Sequence, residues 1–66
     1  MQLTVNGQMH ECNDDTTLLE YLQGSGMDVK AVVVEHNRTV VKADEFEDTV
    51  LVDGDVLEIL QFVGGG

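Results

Sequence analysis

The chain has no proline and no tryptophan, a single cysteine, and only three lysine or arginine residues among 66. Each scarcity excludes something. One cysteine cannot close an internal disulfide, and nothing else in the sequence offers the covalent or metal staple that small scaffolds usually need. Three basic residues against 13 acidic ones leave a formal net charge of −10. Phosphate backbones and anionic membrane surfaces repel such a chain, so nucleic acid and membrane are excluded as partners and a basic protein surface is favoured. No apolar run approaches the roughly 20 residues of a membrane span. The start, Met1 to Val5, lacks the basic region and apolar run of a secretory signal. With the lone Cys12, that predicts a cytoplasmic protein. A chain of this length buries only about 60% of its unfolded surface, which leaves little room for a core, a pocket and a lid together and argues against a stand-alone enzyme. Apolar residues still make up 42%, enough for one core and too many for disorder.

What is present reads as a series of short elements. Met1, Leu3 and Val5 alternate with Gln2, Thr4 and Asn6, the period of a half-buried strand. Asn6-Gly7 is a type I′ hairpin signal, which places a second strand near Gln8 to Cys12. Asn13 to Thr17 marks a helix start. Thr17 and Glu20 have capping-box spacing, and Leu18, Tyr21 and Leu22 share one face. Gly24 and Gly26 are expected to end this helix after two to three turns. The β-branched run within Val29–Glu35 predicts a central strand buried on both faces. His36-Asn37-Arg38 reads as a turn, Thr39-Val40-Val41 as a strand, and Asp44 to Asp48 as one helical turn with Phe46 pinned inward. Asp53-Gly54-Asp55 makes the last turn and Val56–Leu60 the last strand. The order β-β-α-β-β-β predicts an α+β domain with one helix packed across one face of a sheet. It is also the order of the ubiquitin-like β-grasp, in which first and last strands lie side by side mid-sheet. The expectation is one domain over 1–66, with 62–66 as a mobile C-terminal tail.

That tail carries the chemistry. Phe62 and Val63 precede Gly64, Gly65 and Gly66 directly after a strand. Glycine loses the most conformational freedom on ordering, and three glycines extend on the order of 10 Å. Such a segment can thread a channel too narrow for any side chain, with a carboxylate at its tip. A carboxylate is a poor electrophile until it is activated. Adenylation by ATP makes an acyl-adenylate, and a sulfur nucleophile then displaces AMP to leave a thiocarboxylate. In this reading the domain is a substrate, and other proteins supply the catalysis.

Met1-Gln2-Leu3-Thr4-Val5-Asn6-Gly7, Val34-Glu35-His36-Asn37, Asp53 to Ile59 and above all Phe62-Val63-Gly64-Gly65-Gly66 together resemble the thiamine-biosynthesis sulfur carriers of the ThiS family, over essentially the whole chain. The resemblance implies a β-grasp with a mixed four- to five-stranded sheet and a carrier whose Gly66 carboxylate is adenylated by an E1-like adenylyltransferase and converted to a thiocarboxylate. Thiazole synthase would drain it, with a cysteine desulfurase or other donor as the sulfur source. The family's essential pair maps onto Gly65 and Gly66, with Gly64 adding reach. No cofactor is expected on the chain itself, since it lacks any P-loop or Rossmann glycine pattern and the partner would bind the ATP. Docking is expected to use the exposed sheet face, with Phe62 and Val63 as candidate contacts. Beside other sulfur carriers of the same fold that serve amino-acid biosynthesis, three alternatives remain open at this stage. One is a carrier like the small subunit of molybdopterin synthase, which tends to be longer and to carry proline before the tail. Another is a ubiquitin-like adaptor module with an inert tail. The third is a modifier that forms isopeptide bonds.

The remaining candidates read as structural. Cys12 has Glu11, Asp14 and Asp15 beside it in sequence, whereas a reactive thiolate wants cationic neighbours, so it reads as a small hydrophobe. His10 and His36 match no metal-ligand spacing. Asp53-Gly54-Asp55 lacks the distal Glu of a calcium loop and reads as turn chemistry. Asp44, Glu45, Glu47 and Asp48 read as a solvated face ahead of a docking patch. Ser25 and the threonines lack a His/Asp arrangement to activate them. No catalytic residue is expected.

Overall fold

The computed structural model describes residues 1–62, so the expectations for Val63, Gly64, Gly65 and Gly66, including the tail's mobility, lie outside the described residues. Its elements are β1 (Gln2–Val5), β2 (Gln8–Glu11), α1 (Leu18–Gly24), β3 (Val32–His36), β4 (Thr39–Val41), a 3-10 turn at Ala43–Glu45, and β5 (Val56–Gln61). The strands form one mixed sheet in the order β2-β1-β5-β3-β4. β1 and β5 run parallel, with Thr4 opposite Val56 and Val5 opposite Leu57, and the other pairs are antiparallel. This is the β-grasp arrangement expected from the element order.

Local chemistry places each element. Asn6 and Gly7 take φ of 51° and 81°, the two positive values that a type I′ turn demands and that join β1 to β2. The Asn37-Arg38 turn between β3 and β4 has φ of 50° and 72°. At the start of α1, Thr17 and Glu20 form the capping box. Glu20 N–H donates to Thr17 Oγ1 at 3.1 Å, and Thr17 N–H donates to Glu20 Oε1 at 2.9 Å. The next two orphan donors are met by the loop before β5, Leu18 N–H to Thr49 O at 2.8 Å and Leu19 N–H to Phe46 O at 3.1 Å. So a helix of only seven residues is held at its N-terminus by tertiary partners, which a helix too short for intrinsic stability requires.

The other helix end corrects one expectation. Gly24 is the last helical residue and not the cap, because the left-handed position falls on Gly26, at φ 75°. Met27 N–H bonds Leu22 O and Gly26 N–H bonds Gln23 O, both at 3.0 Å. This is a Schellman motif, which needs a residue at positive φ two places beyond the last helical residue.

α1 covers one face of the sheet. Leu3 and Val5 of β1, Leu18 and Leu22 of α1, Val34, Leu57 and Ile59 pack with Phe46 and Leu51 into one core. Phe46 is pinned inward as expected, 2% exposed. The expectation for Val29–Glu35 fails in one respect. β3 begins only at Val32, and its strand is buried on one face alone. Val34 is fully enclosed, whereas Val33 is 43% exposed and Glu35 lies in solvent. The single helix covers one side of the sheet, and among the described residues no second layer covers the other.

Thr17→Ala is expected to remove the bond from Glu20 N–H to Oγ1, while the backbone N–H of residue 17 can still donate to Glu20, and to cost about 1 kcal/mol. For a domain of this size that lowers the unfolding midpoint by about 4–8 °C, measured by circular dichroism on heating.

Candidate functional site

β5 leads directly to the C-terminal residues. Its side chains alternate, with Leu57 and Ile59 in the core and Val56, Glu58 and Leu60 on the uncovered face. Phe62 continues that period and is 55% exposed, while its N–H donates to Ala31 O at 2.7 Å, the last described tie of β5 to the body. Register puts Val33 beside Leu60 and Glu35 beside Glu58 on the same face. Val40 opposes Glu35 from β4, and Met9 opposes Thr4 from β2. Met9, Val33, Val40, Val56, Leu60 and Phe62 are all substantially exposed. The uncovered face is therefore an apolar surface with glutamates set into it, the kind of patch that marks an interface. Of the two predicted docking residues, Phe62 stands at the edge of this surface, and Val63 lies outside the described residues, as do Gly64, Gly65 and Gly66.

Two side-chain devices that periodicity could not reveal hold β5 in place. The first is Asn6. β1 ends at Val5, yet Asn6 extends the pairing with its carboxamide. Ile59 N–H donates to Asn6 Oδ1 at 2.7 Å and Asn6 Nδ2 donates to Ile59 O at 3.1 Å. The side chain thus mimics one more residue of strand and fixes the direction of β5.

The second device is Asp55, the one buried charged residue among those described, at 4% exposure. Its carboxylate accepts from Asn37 Nδ2 at 3.0 Å and from Val52 N–H at 2.9 Å, and lies 2.7 Å from His36 Nε2. Asn37 Oδ1 also accepts from Val56 N–H at 2.8 Å. This network ties the β3–β4 hairpin to the entry of β5. Burial by itself raises the Asp55 pKa, but the hydrogen bonds from Asn37, His36 and Val52 N–H, with the charge of His36, outweigh it and hold the carboxyl below its ordinary value. A His–Asp contact invites comparison with a catalytic dyad. Here both carboxylate oxygens are committed to structural donors, and among the described residues no serine, threonine or cysteine hydrogen-bonds His36. The signal for Asp55 was visible only as Asp-Gly-Asp turn chemistry. Asp53 and Gly54 do form that turn, with Gly54 at φ 89° and Asp55 N–H donating to Val52 O at 3.1 Å, and the Asp53 carboxylate in addition accepts from Gln2 N–H of β1 at 2.7 Å.

The remaining candidates fall elsewhere. Cys12 follows β2, partly buried against the core, with its carbonyl accepting from the N-terminal ammonium at 2.8 Å. Two strands, β1 and β2, mark the far side of the sheet from the β3–β4 hairpin, so Cys12 and β5 have β1 between them. His10 Nδ1 stands 3.4 Å from the Tyr21 hydroxyl in a polar groove between β2 and α1. Among the described residues no cluster of three or more His, Cys, Asp or Glu side chains is placed to hold a metal ion. Asp44, Glu47 and Asp48 lie in solvent around the 3-10 turn, and Glu45 accepts from Lys42 N–H within it. No helix is long and apolar enough to cross a membrane among the described residues.

Comparison with known proteins adds four findings. Residues 3–66 match the profile of the ThiS family. The chain is 35% identical to the sulfur carrier protein ThiS of Bacillus subtilis, covering 97% of this chain and 98% of that protein. All 66 residues also match thiazole synthases of Magnetococcus marinus, at 36% identity, and Paramagnetospirillum magneticum, at 35%. The chain spans 20% of the length of each of these two. Its backbone superposes on the crystal structure of the thiamine biosynthesis protein ThiS of Geobacter metallireducens with a TM-score of 0.85 and 35% identity, over the whole of both chains.

Two outcomes test this architecture. Asn6→Gly keeps the positive φ but strips both bonds to Ile59, and is expected to cost about 1–3 kcal/mol in urea unfolding. For Asp55 the native pKa lies below the unfolded one. Its contribution is therefore complete above the unfolded pKa of about 3.9 and is lost as pH falls through the native value. Acid titration of stability should show this loss below about pH 4, and Asp55→Asn should remove that part of the profile.

Proposed function

The chain belongs to the ThiS family, and from that membership we propose that it is a sulfur carrier in thiamine biosynthesis that works through the carboxylate of Gly66. The observation that carries the proposal is the end-to-end similarity to a sulfur carrier, combined with three glycines that follow the last strand. The carboxylate oxygen attacks the α-phosphorus of ATP on an E1-like adenylyltransferase, and pyrophosphate leaves. Sulfide supplied by a cysteine desulfurase or other donor attacks the acyl carbon, and AMP leaves. The resulting thiocarboxylate delivers sulfur to thiazole synthase, an enzyme to which two relatives' names point.

The domain is then a substrate and not a catalyst, which fits a body whose only buried carboxylate among the described residues is tied up in structural bonds. ATP is bound by the adenylating enzyme. Gly64 and Gly65 have no side chain to block a narrow channel, and Phe62 with Val63 leads from the sheet into it. The apolar face of β3 and β5 docks on the same partner, since strand β5 supplies both the face and the path to the glycines.

Incubation with the adenylating enzyme, ATP and a sulfide donor should raise the intact mass by about 16 Da, the exchange of oxygen for sulfur. An unchanged mass, under conditions that convert a known carrier, overturns the proposal. Deleting Gly65 and Gly66 should abolish the conversion while leaving the thermal midpoint in place, because the core described above lies between Leu3 and Ile59.

A further inference from the structure

Glu35 of β3 and Glu58 of β5 are directly opposed in the antiparallel register. Opposed side chains on one face have Cβ atoms about 4.5–5.5 Å apart, and like charges there are destabilising. Both glutamates are exposed, and neither forms an ion pair or accepts a hydrogen bond among the described residues. Their neighbours on the face do not favour charge either. The two carboxylates line a shallow hollow of about 320 Å³ together with Val33, Leu60, Ile59 and Asn6. Solubility does not call for this placement, because the chain carries 13 acidic residues, most of them in loops and turns. The free domain keeps an unpaired, mutually repelling pair in the middle of its apolar surface.

We propose that Glu35 and Glu58 jointly accept one arginine side chain of the protein that receives the tail. The proposal rests on the carrier reading above and deepens it by naming the charge its docking partner must present. A guanidinium is planar, offers five donors, and can serve two carboxylates at once. It is also weakly hydrated, so its faces tolerate the apolar walls that Val33 and Leu60 provide, whereas an ammonium is compact and strongly hydrated. The position fits the tail's reach. Four residues separate Phe62 from the end of Gly66, at most roughly 14 Å of chain. A protein that encloses the terminal glycine therefore comes up against the face from which β5 departs. With a net charge of −10, the domain is steered toward a basic surface, and the two glutamates fix the register once it arrives.

The test measures adenylation of the full chain by its adenylating enzyme as pyrophosphate release against carrier concentration. Glu35→Gln and Glu58→Gln are each expected to raise KM about tenfold with kcat unchanged, the pattern of lost docking. The loss should shrink as salt is raised. Both variants should keep or raise the thermal midpoint, since a repulsion is removed. Glu47→Gln, in the loop beside the start of α1, removes the same charge away from the face and should leave KM within about twofold of the parent. If the two face variants also stay within that range, or if Glu47→Gln matches their loss, the arginine site is wrong while the carrier reading stands. If the parent chain gains no sulfur mass with the same enzyme, the carrier reading fails and the arginine site falls with it.

Discussion

Thr4 N–H donates to Asp55 O and Asn6 N–H donates to Leu57 O, each at 2.9 Å, and through these bonds residues some fifty positions apart become neighbours in the sheet. The parallel seam between β1 and β5 has no connecting turn of its own. Its closure brings Leu3 and Val5 against Leu57 and Ile59, completes the core under α1, and gives β5 a partner on each side. The carboxamide of Asn6 carries the seam one residue further, so β5 is paired up to Ile59 on that side while β3 pairs with it as far as Gln61. The direction in which the chain leaves the sheet follows from that seam.

A chain of 66 residues with one cysteine has little area to bury and no disulfide to close it, and the structure compensates with polar fastenings at its joints. The capping box of Thr17 and Glu20 and the Schellman closure at Gly26 tie off the two ends of α1, while the Asp53 bond to Gln2 and the Asp55 hub pin loops to neighbouring elements. None adds much hydrophobic burial. Each satisfies backbone donors that would otherwise cost free energy on leaving water. Every buried side-chain polar atom among the described residues has a partner.

The body is divided by face. One side of the sheet is spent on the core, and the other is apolar, exposed and punctuated by two opposed glutamates. β5 belongs to both sides, so one strand serves both the core and the exposed face. Alternation makes this possible, because Leu57 and Ile59 secure the strand while Glu58, Leu60 and Phe62 remain free for a partner.

Much of this could be read before any coordinates. The Asn6-Gly7 turn, the Thr17/Glu20 box, the inward Phe46, the strand alternation and the element order all rest on short-range rules: which residues accept positive φ, which side chains reach a backbone group three positions away, which period faces a core. Long-range matters were not legible. The run Val32-Val33-Val34 looked buried on both sides because its composition cannot reveal how many layers cover a sheet, and one short helix covers only one. Asp55 looked like a turn residue, and its burial arises only when the β3–β4 hairpin folds back over the start of β5. Glu35 and Glu58 stand 23 positions apart and become a pair only through the β3–β5 register. Local preference is encoded residue by residue, whereas a juxtaposition of distant side chains exists only after the strands have aligned.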